Sequence, residues 1–383
     1  MFCHFLQIDK KPVILYDHLG LYFFIKERGT NLKLLKIMIM LLMVLVPFST
    51  ASAAEKTIDH YLPMDIDEDY WAYDEVDDFI NADIIDGYVD EDLYMYVNPE
   101  NKITRAQFVK ILVNSLSLSS SGSGKSFSDV AVKDWYYDYV RTASALGIIS
   151  GKEDGTFGPN DKITRDQMTK MIVLAFENTV DFPEKVPQAF SDIKPDYWAY
   201  EFVGKAAANG IVKGYDTIFK PRSFATRAQA IVMIHRALKQ EQSNLPAEEE
   251  ITAFLKEHIL QENQLVENND FMKLAELYKK NGTGYYKVSG VEAGSAAFPM
   301  EEGDELEIQI DDEKLNLEII EASDRFITAE QTGMSGKFIY TSDEFNFDYT
   351  MKMDGAYKLK IDPVSGEWKI YNFIPYFDEE ELY

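Results

Sequence analysis

The chain has 383 residues, with 38 Lys and Arg against 65 Asp and Glu for a net charge of −27, and it contains one cysteine. That length calls for more than one domain, and 46% hydrophobic residues suffice for more than one core. So negative a balance excludes bulk electrostatic binding to nucleic acid or an anionic membrane, both polyanions, and one cysteine excludes a disulfide framework and a multi-cysteine zinc site.

Lys33 to Lys36 carry positive charge, Ile37 to Phe48 form an apolar run, and Ala51-Ser52-Ala53 is a small-x-small cleavage pattern. Residues 1–53 are therefore predicted to be a secretory signal peptide. The apolar run, about twelve residues, is shorter than the roughly 20 that span a bilayer, so no membrane insertion is expected after cleavage. The stretch before Leu32 is too long and mixed for an ordinary signal, so translation is predicted to begin at Leu32, leaving residues 1–31 outside the protein. Cleavage near Ala53 removes Cys3, and the mature chain then has no cysteine.

Three units of about sixty residues follow. Trp71, Trp135 and Trp198 are spaced by 64 and 63 residues, and Arg105, Arg165 and Arg227 by 60 and 62. In register with the tryptophans lie Asp65, Asp129 and Asp192, and also Gly87, Gly151 and Gly214. The units span 61–118, 127–180 and 190–240, and each reads as helix, loop, helix.

The first helix of each unit buries Val76 and Phe79, Val140 and Ala143, or Val203 and Ala206. Ile84-Ile85, Ile148-Ile149 and Ile211-Val212 continue the apolar set. Gly147 and Gly210 suit its C-terminal stop, where the first unit has Asp83. The second helix opens at Thr104, Thr164 or Thr226. Gln107, Gln167 or Gln229 stands three residues on, a capping box in every unit. Its inward face is predicted to be Phe108, Ile111, Leu112 and Leu116, then Met168, Met171, Ile172 and Phe176, then Ala230, Met233, Ile234 and Leu238. The three arginines lie on neither the cap nor this stripe, so neither capping nor core packing requires them.

Phe127-Ser128-Asp129, Trp135, Gly147-Ile148-Ile149, Asp154-Gly155-Thr156-Phe157, Pro159 and Ile163-Thr164-Arg165 together resemble an S-layer homology (SLH) repeat. The third unit matches through Phe190-Ser191-Asp192, Tyr197-Trp198-Ala199, Asn209-Gly210-Ile211 and Thr226-Arg227-Ala228-Gln229. The first matches through Tyr70-Trp71-Ala72, Gly87-Tyr88 and Ile103-Thr104-Arg105-Ala106-Gln107. The resemblance implies an all-α module with pseudo-threefold symmetry. It implies non-covalent binding to a pyruvylated secondary polymer of a Gram-positive-type cell wall. By position it assigns Arg105, Arg165 and Arg227, with Trp71, Trp135 and Trp198, to inter-repeat grooves that receive a ketal-pyruvate carboxylate and its sugar; Gly87, Gly151 and Gly214, grouped with this site, are read as letting the loop's backbone turn closely.

Elementary chemistry agrees: an arginine fork grips a carboxylate, a helix N-terminus favours an anion, and an indole offers a sugar an apolar face. Gln replaces the usual Glu of the Thr-Arg-Ala-Glu motif in all three units. The first unit has a longer loop through Asp92-Leu93-Tyr94-Met95, and the third has Ala225 before its threonine. The three grooves are therefore expected to be unequal.

Residues 241–250 read as a polar linker and 251–383 as an α+β domain of one or two helices over 251–280 against a curved antiparallel sheet, its order loosely resembling the NTF2-like cone. Strands are predicted at 338–340, 345–353, 357–361 and 368–373, with Asp362-Pro363-Val364-Ser365-Gly366 as a hairpin turn. Chemistry is sparse there. His258 is the one histidine of that region, so no multi-histidine metal site follows. Glu301-Glu302, Asp311-Asp312 and Asp343-Glu344 read as solvated turns. Asp65 to Asp69 lacks the glycine and the glutamate of a calcium loop, with Tyr70 and Val76 in their places. No cofactor and no metal are expected. The expected protein is a secreted, non-catalytic wall and S-layer component displaying its C-terminal domain. The alternative is a wall-anchored polysaccharide or peptidoglycan hydrolase using C-terminal carboxylates.

Overall fold

The computed structural model describes residues 56–91, 94–295, 305–342 and 346–376. The signal peptide, the Leu32 start, Asp92-Leu93, Glu301-Glu302 and Asp343-Glu344 lie outside the described residues.

Each unit supplies two helices: α1 (Tyr73–Asn81) and α2 (Arg105–Ser115), α3 (Tyr137–Ala145) and α4 (Arg165–Phe176), α5 (Tyr200–Ala208) and α6 (Arg227–Leu238). Every apolar position predicted for their inward faces is buried, in one continuous core. The first helices stop by one device. Asp83, Gly147 and Gly210 take left-handed φ of 55°, 78° and 68°. The next residue then returns its N–H to the helix, from Ile84 to Phe79 O, Ile148 to Ala143 O and Ile211 to Ala206 O, at 2.8 to 2.9 Å. Aspartate thus does in the first unit what glycine does in the others.

The loops are held by the aligned aspartates. Asp65 accepts the N–H groups of Val97 and Asn98, Asp129 those of Phe157 and Gly158, and Asp192 those of Phe219 and Lys220, all at 2.7 to 2.8 Å. Two charge-assisted bonds to one carboxylate fix the turn that leads into the second helix. Asp65 therefore serves the loop, not a calcium site. The three loops then close on one another: Ile103 N–H donates to Ala225 O, Ala225 N–H to Ile163 O and Ile163 N–H to Ile103 O, at 3.0 to 3.1 Å. Ala225 belongs to this buried ring.

The module is not wholly helical. The first unit's long loop folds into a two-stranded antiparallel ribbon, β1 (Tyr88–Val89) with β2 (Met95–Tyr96).

Beyond residue 247 come α7 (Glu248–Glu267), α8 (Phe271–Asn281) and α9 (Gly284–Ser295). Seven strands follow: β3 (Glu305–Asp311), β4 (Asn316–Ala322), β5 (Phe326–Thr332), β6 (Ser335–Thr341), β7 (Asn346–Lys352), β8 (Gly355–Ile361) and β9 (Trp368–Pro375). They form two antiparallel sheets, ordered β3-β6-β7 and β4-β5-β8-β9, rather than one. The 362–366 hairpin turn forms as expected, with Asp362 capping the Val364 and Ser365 amides and Gly366 at φ 73°. Helix α9 is a departure from the sequence reading. Its glycines and β-branched residues give weak helix propensity, and packing on α8 and β9 overrides it.

The 241–250 stretch is not a free tether. Glu241 is fully buried and takes Arg325 Nε at 3.0 Å, its carbonyl receives Asp324 N–H, and Ser243 and Asn244 bond to the Asp324 carboxylate. Residues 248–250 are already helical. The C-terminal region also packs on the first unit through Asp78 of α1, which meets His235 of α6 at 2.8 Å, Lys358 of β8 at 2.7 Å and Tyr371 of β9 at 2.9 Å. Burial alone would raise the Asp78 carboxyl; the His235 and Lys358 contacts overcome it and hold it below the usual carboxylate range. Lys360 also donates to Ala82 O.

Candidate functional site: three grooves between the repeats

Every second helix begins on its arginine, and the ring of loops turns that arginine toward the neighbouring unit. Arg105, Arg165 and Arg227 are 7%, 5% and 8% exposed, so they are not solvated surface charges. Arg105 Nε donates to Phe157 O and Arg165 Nε to Phe219 O, both at 2.9 Å, while Arg227 Nη2 donates to Asp86 O at 2.8 Å. Each guanidinium also lies on an aromatic ring of the unit it enters: Arg105 on Phe157, Arg165 on Phe219 and Tyr215, and Arg227 on Tyr88, at 4.6 to 5.4 Å. The expectation that packing does not require these arginines is corrected: each staples one unit to the next. Burial lowers their pKa values, yet a guanidinium remains protonated.

The argument from the helix N-terminus also needs correction. The first two amides of each second helix are already taken by the neighbouring loop. Arg105, Arg165 and Arg227 N–H donate to Asp161, Ser223 and Asn101 O, and Ala106, Asp166 and Ala228 N–H to Pro159, Pro221 and Pro99 O, all at 2.9 to 3.0 Å. In the first and third units the next amide is held by the threonine cap; in the second, Asp166 holds the Gln167 N–H at 2.7 Å. What faces a groove is therefore the guanidinium, not the open end of a helix.

The tryptophans lie opposite. Trp71, Trp135 and Trp198 are 55%, 57% and 51% exposed, which excludes the reading of them as inter-repeat core. One groove, of about 320 Å³, brings together Arg227 of the third unit, Gly87, Tyr88 and Lys110 of the first, and Trp135 of the second. Another, of about 380 Å³, brings together Arg165 of the second unit, Gly214 and Tyr215 of the third, and Trp71 of the first, with Lys213 and Arg236 beside them. The cyclic order leaves Arg105, Gly151 and Trp198 for the third position. There Lys170 lies 5.9 Å from the Trp198 ring centroid and Arg105 Nη1 reaches Gln167 Oε1 at 3.3 Å. A Cβ on Gly151 or Gly214 would come within 2.3 Å of Phe127 or Phe190, and on Gly87 within 2.1 Å of Met95, so these glycines let the groove wall close onto the ring or thioether beneath it.

The grooves are unequal, as expected. Tyr88 and Tyr215 follow the glycine in two of them, and their hydroxyls receive the side-chain amides of Gln107 and Gln229 at 3.2 and 3.0 Å. Glutamine at this position does two jobs: its oxygen takes the N-cap amide and its nitrogen donates to the tyrosine hydroxyl, where an ionised glutamate could only accept the tyrosine's own proton. The second unit has Lys152 instead of tyrosine, paired with Asp161 at 2.5 Å. The spacing marks the glutamines as capping-box residues but not their second bond to tyrosine, and it marks the aspartates without showing the amides they accept.

The family model for the S-layer homology domain matches residues 126–169 and 189–231, the second and third units. The chain carries S-layer homology domains. It is 34% identical over 178 residues to an exoglucanase, XynX, of Acetivibrio thermocellus, covering 45% of this chain and 16% of that one. It is 31% identical to the surface-layer 125 kDa protein of Lysinibacillus sphaericus, covering 44% and 14%. To the cellulosome-anchoring protein of Acetivibrio thermocellus it is 28% identical, covering 37% and 33%. The chain spans between 9% and 22% of the length of the first curated relatives it matches. Among solved structures, the 1.8 Å structure of Aln2 from a Streptomyces species aligns with 36% of this chain and 98% of that chain at 14% identity and a TM-score of 0.23, too low to assign a fold.

The SLH repeats at 126–169 and 189–231 thus contribute two of the arginines, Arg165 and Arg227, and two of the tryptophans. The remaining residues of the grooves come from the first unit, which the family model does not mark, although its aspartate, capping box and ring contact are built the same way.

Among the described residues no cluster of His, Cys, Asp and Glu is arranged to hold a metal ion, and no helix is long and apolar enough to cross a membrane.

Proposed function

We propose that this is an exported surface protein, held without a covalent bond on the wall of a Gram-positive-type bacterium, whose SLH module grips a pyruvylated secondary wall polymer. The observation that carries this reading is the pairing, in the two grooves of about 320 and 380 Å³, of a buried arginine with a half-exposed tryptophan from a different unit. A ketal-pyruvate group presents a carboxylate on a sugar, and guanidinium plus indole is the matching pair. The first unit is read as a divergent third repeat, and the module as pseudo-threefold. The cyclic Ile103, Ile163 and Ala225 bonds support both.

The C-terminal part is proposed to be a binding or structural module rather than a catalyst. A hydrolase there would need two carboxylates facing each other across a cleft. Of the described candidates, Asp312 is bonded to Asn263 at 3.1 Å and Asp311 caps a turn, which favours the non-catalytic reading.

Sedimentation of the purified chain with cell walls tests the anchoring. The chain is expected to pellet with intact walls, and to stay in solution once the secondary polymer is stripped or its pyruvate removed. Pelleting that survives both treatments refutes the mechanism.

A further inference from the structure

Between α7 and the two C-terminal sheets lies a cavity of about 190 Å³ that the wall-anchoring grooves do not share. An engineered apolar cavity of about 150 Å³ accommodates benzene, so this one has room for a single-ring molecule. Its walls are largely apolar, with Met334, Met351, Met353, Phe338 and Phe373 among them, and methionines adapt readily to a bound body.

Besides Asn263, Lys352, Asp354 and Tyr376, its lining carries the polar groups of Glu262, Tyr286, Tyr357 and Gln331. Glu262 of α7, its side chain 20% exposed, receives Tyr278 Oη at 2.5 Å, and His258 Nε2 lies 3.5 Å from its Oε2. His258 is fully buried, with Nε2 2.7 Å from Tyr286 Oη and Nδ1 3.1 Å from the amide nitrogen of Asn281. Asn281 donating to Nδ1 assigns the remaining proton to Nε2, which faces Tyr286 Oη and, at 3.5 Å, Glu262 Oε2. Gln331 of β5 is 2% exposed, and its amide nitrogen is spent on Met353 O at 2.5 Å. Its oxygen is buried and has no hydrogen-bond partner among the described residues.

Tyr278, His258, Asn281 and the Gln331 amide nitrogen are therefore engaged, as are Asn263 with Asp312 and Tyr376 with Glu330, while the Glu262 carboxylate and the Gln331 oxygen remain as acceptors. A buried unpartnered acceptor is costly, and a donor brought by a ligand removes that cost. At Glu262 and Gln331 a carboxylate ligand would set acceptor against acceptor.

We propose that this cavity binds a small, single-ring-sized ligand with an apolar body and at least one N–H or O–H donor, the donor directed to Gln331 and Glu262 and the body resting on the methionines and phenylalanines. The site extends the assignment of the C-terminal part from a binding module in general to one with a defined pocket and ligand chemistry.

The test uses the full chain with its methionine methyl groups isotopically labelled, so that Met334, Met351 and Met353 report occupancy by NMR. Benzylamine, benzyl alcohol, toluene and benzoate are the probes. Benzylamine and benzyl alcohol are expected to shift these signals saturably, with toluene weaker and benzoate weakest. The amine and alcohol arms show whether a cationic or a neutral donor is preferred. Gln331→Met is expected to weaken benzyl alcohol by about tenfold, the worth of one hydrogen bond, while sparing toluene. No saturable shift with any probe at millimolar concentration, or benzoate binding as well as benzyl alcohol, overturns the proposal. That ranking is read on the unaltered chain, so it stands even where the variant does not fold. Failure here leaves wall sedimentation unaffected.

Discussion

Removing the indoles tests the grooves most directly, because the arginines are structural and the tryptophans are not. An indole side chain has on the order of 250 Å² to bury, and Trp71 keeps 55% of its surface exposed. A sugar ring covering about half of that face removes roughly 70 Å² from water, worth about 1.7 kcal/mol at ~25 cal/mol per Å². Trp71→Ala is therefore expected to weaken wall-polymer binding roughly fifteenfold at its own groove. Folding stability should change by under about 0.5 kcal/mol, as for exposed positions generally. The assay is calorimetric titration with solubilised polymer, with thermal melting of the same samples. Trp135→Ala and Trp198→Ala measured alongside rank the three grooves, and the triple variant removes any masking by multivalency. A triple variant that binds like the unaltered chain, with an unchanged melting curve, refutes the groove assignment outright.

Four further outcomes follow from the geometry. Arg165→Ala removes donors from Phe219 O and Lys213 O and the packing on Phe219, so it should cost about 3 kcal/mol in urea unfolding; a loss under about 1 kcal/mol would show that the guanidinium is not a staple. Asp129→Ala deprives the Phe157 and Gly158 amides of their acceptor and should abolish their protection from hydrogen exchange; retained protection contradicts the clamp. Asp78→Ala strands Lys358 and Tyr371 against α1 and should cost about 3 kcal/mol, read as new protease cleavage within 239–250; an unchanged digestion pattern counts against a fastened C-terminal region. Burial, with Lys280 nearby, holds His258 neutral at a pKa of about 4 against an ordinary 6.5. The unfolded chain therefore binds the extra proton first, and this stability is complete above pH 6.5 and lost as pH falls through about 4, up to about 3 kcal/mol in all. Urea midpoints that do not fall between pH 7 and pH 5, or that fall equally in His258→Gln, refute it.

The repeat module was legible because its signals are local and repeated. Helical spacing marks the buried faces, threonine and glutamine mark the caps, and the near-constant offsets of Trp, Arg and Asp mark the units. Asp83 shows the limit of reading by residue type, since its left-handed backbone replaces a glycine only because the Ile84 N–H finds Phe79 O. The C-terminal region was less legible. Helix α9 carries glycines that propensity penalises, and two sheets cannot be told from one when strand order depends on pairings between distant residues.

Composition and spacing alone determined that a unit of about sixty residues recurs, which residues face inward, and which arginines and tryptophans correspond. Only the tertiary structure decided that each arginine is buried across a unit boundary, that each tryptophan stands exposed, Trp71 and Trp135 in grooves with another unit's arginine, and that the helix N-termini are closed by neighbouring carbonyls. The reason is that those roles depend on the cyclic docking of loops some sixty residues apart, and backbone bonds such as Ile103 to Ala225 accept almost any side chain. The same holds for Asp78 and Gln331, ordinary residues in sequence whose meaning comes from what packs around them.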